Sequence, residues 1–299
     1  MGVKAAAIDL GSNTFHLVIF EKINGEIQEI YRKRHHVFLA KGGVDKICEE
    51  SLGRAQSAIF DFKTALKNLP VSMLSIIGTA ALRKASNGHK LKTFIEEHLQ
   101  EKVQVISGER EAELIAKGVL WELKEKANNG IIMDIGGGSV EFIHLSKGSV
   151  SWLKSFPLGV GVLHSKFPHE EPISPKTVHK IKNFILEEAK ELLDYISEKS
   201  ITHLIGCSGS FEIIPAIKEG KCPPIKSFEN ISIDDFHSIK NQLFRMDIEE
   251  RKQLNGLPPV RAELIVVAFV LMDFLIEKLG VESISISKYA VKELSLIHI

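Results

Sequence analysis

Short apolar runs alternate along the chain with longer segments in which apolar positions recur every three or four residues. The short runs predict β-strands, and the longer segments predict amphipathic α-helices. In the first half, strands are predicted at residues 3–9, 15–20, 26–39, 73–78 and 102–106. In the second half, they are predicted at residues 130–135, 139–145, 149–156, 202–207 and 283–287.

Helices are predicted at residues 49–68, 91–99, 109–125, 175–197, 211–218, 233–245 and 259–279. Strands that alternate with helices indicate an α/β fold. A short polar break at residues 127–130 is typical of a linker, so we predict one domain at 1–126 and a second at 127–299.

One motif occurs twice, and its two aspartates, Asp9 and Asp134, are 125 positions apart. Residues 7–14 and 132–139 both follow the order apolar, apolar, Asp, apolar, Gly, any, any, Ser or Thr. Each copy is followed by a second apolar run, a turn and a further strand-like stretch. Two such loops in matching contexts indicate a duplicated fold whose halves face each other across a cleft.

The residue types in these loops suit phosphate binding. Glycine lets backbone N–H groups converge on a phosphate oxygen, and hydroxyl groups add further donors. An aspartate would repel bare phosphate, so its presence favours a Mg²⁺ ion between the two, mostly bound through water. A single copy is more typical of ordinary turn chemistry, and the pairing of two copies reverses this in favour of the functional interpretation. The candidate phosphate-binding residues are Gly11, Ser12, Asn13, Thr14, Gly136, Gly137, Gly138 and Ser139.

Composition narrows the function classes. The 299 residues include 38 basic and 38 acidic side chains, so no overall field attracts nucleic acid or an anionic membrane. Three widely spaced cysteines fit reduced thiols in a cytoplasmic protein. No segment is typical of a signal peptide, and the apolar stretch at 264–279 is too short to span a bilayer. We therefore expect a soluble cytoplasmic protein without nucleic-acid or membrane partners.

Four further segments, at residues 78–87, 106–115, 206–210 and 256–262, complete a set of separated motifs. Together with the two loops, they make the chain resemble the Ppx/GppA family of phosphatases along nearly its whole length. That family belongs to the actin-like, Hsp70-like and sugar-kinase-like superfamily. The resemblance implies two ribonuclease-H-like domains that flank a central cleft. The chain resembles the short two-domain form, without the C-terminal His-Asp-type helical domain of longer members.

The resemblance also implies roles for individual residues. Glu111 matches the proposed catalytic base, although its position alone is more typical of an acid that complements the helix dipole. Arg83 matches an arginine that contacts the phosphate chain, where a planar guanidinium suits bidentate binding. From the sequence alone, the strand-to-helix junction at 206–210 is either a third anion-binding loop or a plain turn. Its candidate residues are Gly206, Ser208, Gly209 and Ser210.

The function that follows is exopolyphosphatase activity, in which water activated by Glu111 removes the terminal phosphate. The metal would be Mg²⁺ (or Mn²⁺), held by Asp9 and Asp134. Strand alternation also directs Glu141 toward the cleft side, as a further metal-linked carboxylate. Guanosine pentaphosphate is the second candidate substrate beside inorganic polyphosphate. The same loops also suit a superfamily ATPase or kinase, or a non-catalytic polyphosphate or alarmone sensor, and a homodimer is a candidate assembly.

The sequence also departs from the family pattern. The segment 158–163 lacks the usual arginine, so that phosphate contact is either missing or replaced by Lys154, Lys166 or His164. His35 and His36 are adjacent on a strand and are interpreted as structural or as part of a basic surface. The last six residues, 294–299, match the translation of a common sequencing adapter, so they are suspected to be non-native and are excluded from the fold argument.

Overall fold

A computed structural model of the chain describes residues 3–23, 26–123, 129–221 and 228–288. The first sheet has five strands in the order β3-β2-β1-β4-β5. Strand β1 pairs antiparallel with β2, which pairs antiparallel with β3, whereas β1, β4 and β5 run parallel. The strands are β1 (Val3–Leu10), β2 (Thr14–Ile23), β3 (Glu26–His36), β4 (Met73–Gly78) and β5 (Val103–Val105).

The second sheet repeats this topology. Its strands are β6 (Asn129–Ile135), β7 (Val140–Ser146), β8 (Ser149–Phe156), β9 (His203–Cys207), β10 (Glu229–Ile231) and β11 (Ser283–Ile286). The order is β10-β11-β9-β6-β7-β8, so β8-β7-β6-β9-β11 matches the first sheet and β10 is an added edge strand. The second hairpin of each sheet, β2–β3 or β7–β8, changes its strand register at an equivalent position. The change follows Ile19 in the first sheet and His144 in the second, which are again 125 residues apart. The predicted duplication is confirmed.

Helices cover the sheets in both halves. The first half contains α1 (Glu49–Asn68), α2 (Ala80–Lys84), α3 (Gly88–Leu99) and α4 (Gly108–Leu123). The second half contains α5 (Val160–Lys166), α6 (Pro175–Glu188), α7 (Lys190–Ile196), α8 (Gly209–Glu219), α9 (Ile233–Arg245), α10 (Ile248–Lys252) and α11 (Ile265–Leu279). The architecture is the expected α/β fold with two ribonuclease-H-like halves. Within the described ranges, every helix is too short or too polar to cross a membrane.

The structure divides two of the predicted helices. The segment 175–197 forms α6 and α7, because Ala189 leaves helical geometry with φ −93° and ψ 17°. In the segment 259–279, residues Pro259–Arg261 form a separate 3₁₀ turn, and α11 begins only at Ile265. Helices α2, α5 and α10 were not predicted, because five to seven residues are too few to show a helical period.

Helix α4 packs against the second sheet. Ala112, Ile115 and Val119 lie in one buried cluster with Ile132 of β6 and Ile143 of β7. The start of α4 therefore lies where the two halves meet, although the helix precedes the predicted linker. Residues 127–128 of that linker and the suspect C-terminal residues lie outside the described ranges, whereas residues 129–130 of the linker already belong to β6.

Candidate active site

The two repeated loops have the same backbone geometry and contact each other. The Gly11 amide donates to the Thr14 carbonyl over 3.0 Å, and the Gly136 amide donates to the Ser139 carbonyl over 2.9 Å. Each bond closes the tight turn between two antiparallel strands. A Cβ atom at Gly137 would lie only 2.5 Å from Oδ1 of Asn13. Glycine is therefore required at 137 for the two loops to meet.

A cleft with about 1120 Å³ of empty space, including its open mouth, lies over these loops. The structure brings most of the predicted site residues to its wall. These are Asp9, Gly11, Ser12, Asn13, Thr14, Glu111, Asp134, Gly136, Gly137, Gly138, Ser139, Ser208, Gly209 and Ser210. Three predicted residues, Arg83, Glu141 and Gly206, lie outside this lining.

Glu111 enters the cleft from the first turn of α4. Burial raises the pKa of its carboxyl group well above the usual value, and the negative charges of Glu141, Asp9 and Asp134 add to the increase. Its Oε2 atom is buried and makes no hydrogen bond with any described residue. The nearby Arg83 guanidinium opposes the rise in this pKa. A cation in the cleft would favour the ionised carboxylate that a general base needs.

Glu141 lies beneath the second loop, not on the cleft wall. It pairs in register with Asp134, and only 1% of the residue is exposed. Its carboxylate accepts hydrogen bonds from Ser139 and, over 2.7 Å, from the Ser155 hydroxyl group. Burial raises its pKa to about 8, and the charge of Asp134 contributes. The equivalent position in the first half is His16, opposite Asp9.

The carboxylates suit a hydrated cation better than a directly ligated one. Among the described residues, no three His, Cys, Asp or Glu side chains form a ready-made metal-binding group. Asp9 and Asp134 instead reach the cleft from equivalent strands, β1 and β6. Their negative charges raise the pKa of Glu111. A divalent cation near Asp9 and Asp134 would therefore reduce the repulsion among these carboxylates. This donor set fits Mg²⁺, which keeps several waters when bound.

Two residues that were predicted to contact phosphate, Arg83 and Ser12, form hydrogen bonds with the protein backbone. Arg83 donates from Nη1 to the Ile106 carbonyl, and the same atom lies 4.0 Å from Oε2 of Glu111. Arg83 therefore lies next to Glu111 but is not part of the cleft lining. The Ser12 hydroxyl group accepts a 3.1 Å hydrogen bond from the amide of Ala81, near the start of α2. Its remaining hydrogen can still be donated into the cleft, which Ser12 lines.

The strand-to-helix junction at 206–210 provides a third wall. Ser208 has φ +83°, which is uncommon for a residue with a side chain, and its Oγ atom is buried without a described hydrogen-bond partner. The N-terminus of α8 follows directly, and such an end attracts anions. Gly206 has a packing role, because a Cβ atom there would overlap the ring of Phe211.

The cleft also contains basic residues that the sequence did not assign to the site. Arg34, His36 and Arg261 line it, and the Arg261 guanidinium donates to the Gly209 carbonyl. Burial lowers the pKa of His36 to about 4, and the charges of Arg34 and Arg261 contribute. His36 is therefore part of the cleft wall as a neutral ring beside Arg34 and Arg261. No local pattern predicts this grouping, because β3 and the 3₁₀ turn are distant in sequence.

The expected substitutes for the missing arginine lie elsewhere. Lys154 forms an ion pair with Glu191, and Lys166 lies 4.2 Å from the ring centre of Phe184. His164 lines a neighbouring cavity. Of the described residues, Arg34 and Arg261 supply the arginine side chains on the cleft wall.

Two ribonuclease-H-like halves with the same sheet topology meet at paired glycine loops beside several carboxylates. The model of the Ppx/GppA phosphatase family matches residues 18–299. The chain therefore belongs to the Ppx/GppA phosphatase family.

Similar proteins agree with this assignment. A crystal structure of an exopolyphosphatase from Cytophaga hutchinsonii is 31% identical, with a TM-score of 0.92, and the match covers 99% of this chain and 96% of that one. An Aquifex aeolicus Ppx/GppA enzyme, 20% identical with a TM-score of 0.81 over all of both chains, shares the fold. A guanosine-5′-triphosphate,3′-diphosphate pyrophosphatase from Aeromonas salmonicida is 27% identical over 293 residues. That match covers 96% of this chain but only 58% of the relative's length.

Proposed function

We propose that this protein is an exopolyphosphatase that releases orthophosphate from the end of inorganic polyphosphate. The observation that carries the proposal is the position of Glu111. Its buried carboxyl group lines a cleft between two glycine-rich loops, and its Oε2 atom has no described hydrogen-bond partner. The family assignment and the similarity to the Cytophaga hutchinsonii exopolyphosphatase support it.

In this proposal, backbone amides of the loops at 11–14 and 136–139 bind the terminal phosphate groups. Glu111 accepts a proton from water as the water oxygen attacks the terminal phosphorus. The bond from that phosphorus to the bridging oxygen breaks, and the shortened chain leaves with the bridging oxygen. Asp9 and Asp134 would hold Mg²⁺ (or Mn²⁺) through water, with Glu141 fixing the loop below, and the cation would supply positive charge against the phosphates.

Guanosine pentaphosphate is a second candidate substrate. Relatives from Aeromonas salmonicida and Aeromonas hydrophila, each 27% identical, are named guanosine-5′-triphosphate,3′-diphosphate pyrophosphatases. Its 5′-triphosphate presents a terminal phosphoanhydride of the same kind as polyphosphate. The cleft over the two loops would therefore perform the same reaction on both.

The test is orthophosphate release with Mg²⁺ from long-chain polyphosphate and from guanosine pentaphosphate. Glu111→Gln keeps the shape of the side chain but removes the base, so release should fall by about 100-fold or more. Glu113→Gln is the matched control, because Glu113 lies on the same helix, is exposed and pairs with Arg110. Wild-type protein that releases no orthophosphate from either substrate would overturn the proposal, as would full activity of Glu111→Gln.

A further inference from the structure

A row of three side chains crosses the first sheet on the cleft side. Asp9 of β1 lies opposite His16 of β2, and His16 lies opposite Arg34 of β3. Directly opposed residues on neighbouring strands present their side chains on the same face of a sheet, and all three line the cleft. Two strand spacings, or about 10 Å, separate Asp9 from Arg34. Arg34 is therefore a cation on the same wall as the proposed metal site, two strands away from it.

The equivalent row in the second half has a different character. Asp134 of β6 lies opposite Glu141 of β7, and Glu141 lies opposite Ser155 of β8. Neither Glu141 nor Ser155 lines the cleft, and the Ser155 hydroxyl group donates to the Glu141 carboxyl group. Of the two rows, the first alone presents an arginine to the cleft. A phosphate chain is negative at every unit, so these charges favour a path from the loops across β2 and β3 toward Arg34.

One carboxyl group of the described cleft lining has no role in the proposed reaction. Asp9 and Asp134 are assigned to the cation and Glu111 to the base, whereas Glu212 lies in the first turn of α8. An acid in that turn complements the helix dipole, but its negative charge opposes phosphate binding. The Oε2 atom of Glu212 lies 3.9 Å from Nη1 of Arg34, and the two side chains are 30% and 41% exposed. Because Arg34 belongs to the first half and Glu212 to the second, their ion pair crosses the cleft.

A substrate that reaches Arg34 has to separate this ion pair. A phosphate unit beside Arg34 replaces Glu212 as the partner of the guanidinium group and is repelled by the carboxylate that it displaces. A short chain that is held at the two loops ends before Arg34 and leaves the pair intact. The pair therefore acts on long substrates and not on short ones.

We propose that the Arg34–Glu212 ion pair sets the chain-length preference of this protein. The proposal rests on the hydrolase function above and deepens it. Arg34 binds a phosphate unit several positions away from the terminal one, and Glu212 opposes this contact. Arg34 thus favours long chains over tripolyphosphate, and Glu212 limits that preference.

Binding can be measured without hydrolysis in the Glu111→Gln background. Tripolyphosphate or long-chain polyphosphate is titrated calorimetrically into the full chain with Mg²⁺. Arg34→Gln should raise the Kd for the long chain about tenfold and leave the Kd for tripolyphosphate unchanged, because it removes a charge-assisted contact. Glu212→Gln should lower the Kd for the long chain about threefold, since a partly exposed ion pair is weak.

Each variant has a matched control on the same element. Lys33→Gln removes a positive charge from the opposite face of β3, where Lys33 lies 3.5 Å from Asp61. Glu219→Gln removes an exposed negative charge from the last residue of α8. Both controls should bind the two substrates as the background does.

Kinetics separate this inference from the hydrolase proposal. The ratio of KM for tripolyphosphate to KM for long-chain polyphosphate should fall about tenfold in Arg34→Gln and rise about threefold in Glu212→Gln. Length-dependent binding that follows these two residues, in a protein that releases no orthophosphate, would support the ion pair and overturn the hydrolase. Orthophosphate release with equal changes for both substrates, with no change, or with weaker long-chain binding in Glu212→Gln would overturn the ion-pair assignment alone.

Discussion

The Nη1 atom of Arg83 lies 4.0 Å from the Oε2 atom of Glu111, and only Glu111 of this pair lines the cleft. Arg83 is fixed by donating to the Ile106 carbonyl, at the connection that leads into α4. Its positive charge opposes the increase in the Glu111 pKa caused by burial and by the other carboxylates. The geometry therefore favours a positioning role for Arg83, whereas the family resemblance implies direct contact with phosphate.

Replacing Arg83 distinguishes the two roles. Arg83→Ala should lower kcat by about 10- to 100-fold with little change in KM, because the base loses its neighbouring charge. Since Arg83 lowers the pKa of Glu111, its loss should shift the acidic limb of the kcat–pH profile to higher pH. Arg83→Lys should restore part of that shift. A large increase in KM with an unmoved pH profile would instead show direct phosphate binding.

The pH dependence of stability should report the buried Glu141. Its pKa is raised from 4.5 to about 8 in the folded protein, so its contribution to stability is complete below pH 4.5 and is lost as pH rises to about 8. In metal-free protein, we expect wild type to lose a few kcal/mol over this window relative to Glu141→Gln. Denaturant unfolding at several pH values measures the difference. Parallel curves for the two proteins would contradict a raised pKa.

Contact between the loops should make Gly137 sensitive to a single methyl group. Gly137→Ala places a Cβ atom 2.5 Å from Oδ1 of Asn13 and 2.9 Å from Cβ of Ser12, so it should push the two loops apart. We expect a loss of about 1–3 kcal/mol in stability and a larger relative loss of activity. Gly53→Ala in α1 is the control, because its Cβ meets nothing within 4 Å, and it should stabilise the helix by about 1 kcal/mol. Thermal unfolding and phosphate release compare the two variants.

A buried aspartate connects three helices of the second half. Asp273 on α11 accepts from Lys182 of α6 over 2.7 Å and from Lys240 of α9 over 2.5 Å. Asp273→Asn should cost about 3–5 kcal/mol, because it removes the charge that pairs with Lys240 and leaves Lys182 with only the exposed Glu277. Glu277→Gln, which removes an exposed partner of Lys182, should cost about 1 kcal/mol or less. Equal losses in chemical denaturation would show that Asp273 has no special role.

The repeated motif made the fold predictable. Two strand–loop–strand copies separated by 125 residues predicted both sheets and the cleft between them, and the strands at 73–78 and 149–156 agree with the structure residue for residue. Strand alternation and loop composition are local properties, so sequence alone suffices for them. Short helices such as α2 and α5 were missed, because they are held by contacts rather than by a period. The Gly161 amide at the start of α5, for example, donates to the Gly137 carbonyl.

The sequence by itself determined the family resemblance, the duplicated α/β fold and the carboxylates and glycines from which the candidate site is built. Tertiary structure decided which of them share a surface. It left Arg83, Glu141 and Gly206 outside the cleft lining and brought Arg34, His36 and Arg261 onto the cleft wall. The reason is that exposure and charge at a site depend on residues from distant elements, and only the packed chain brings these together.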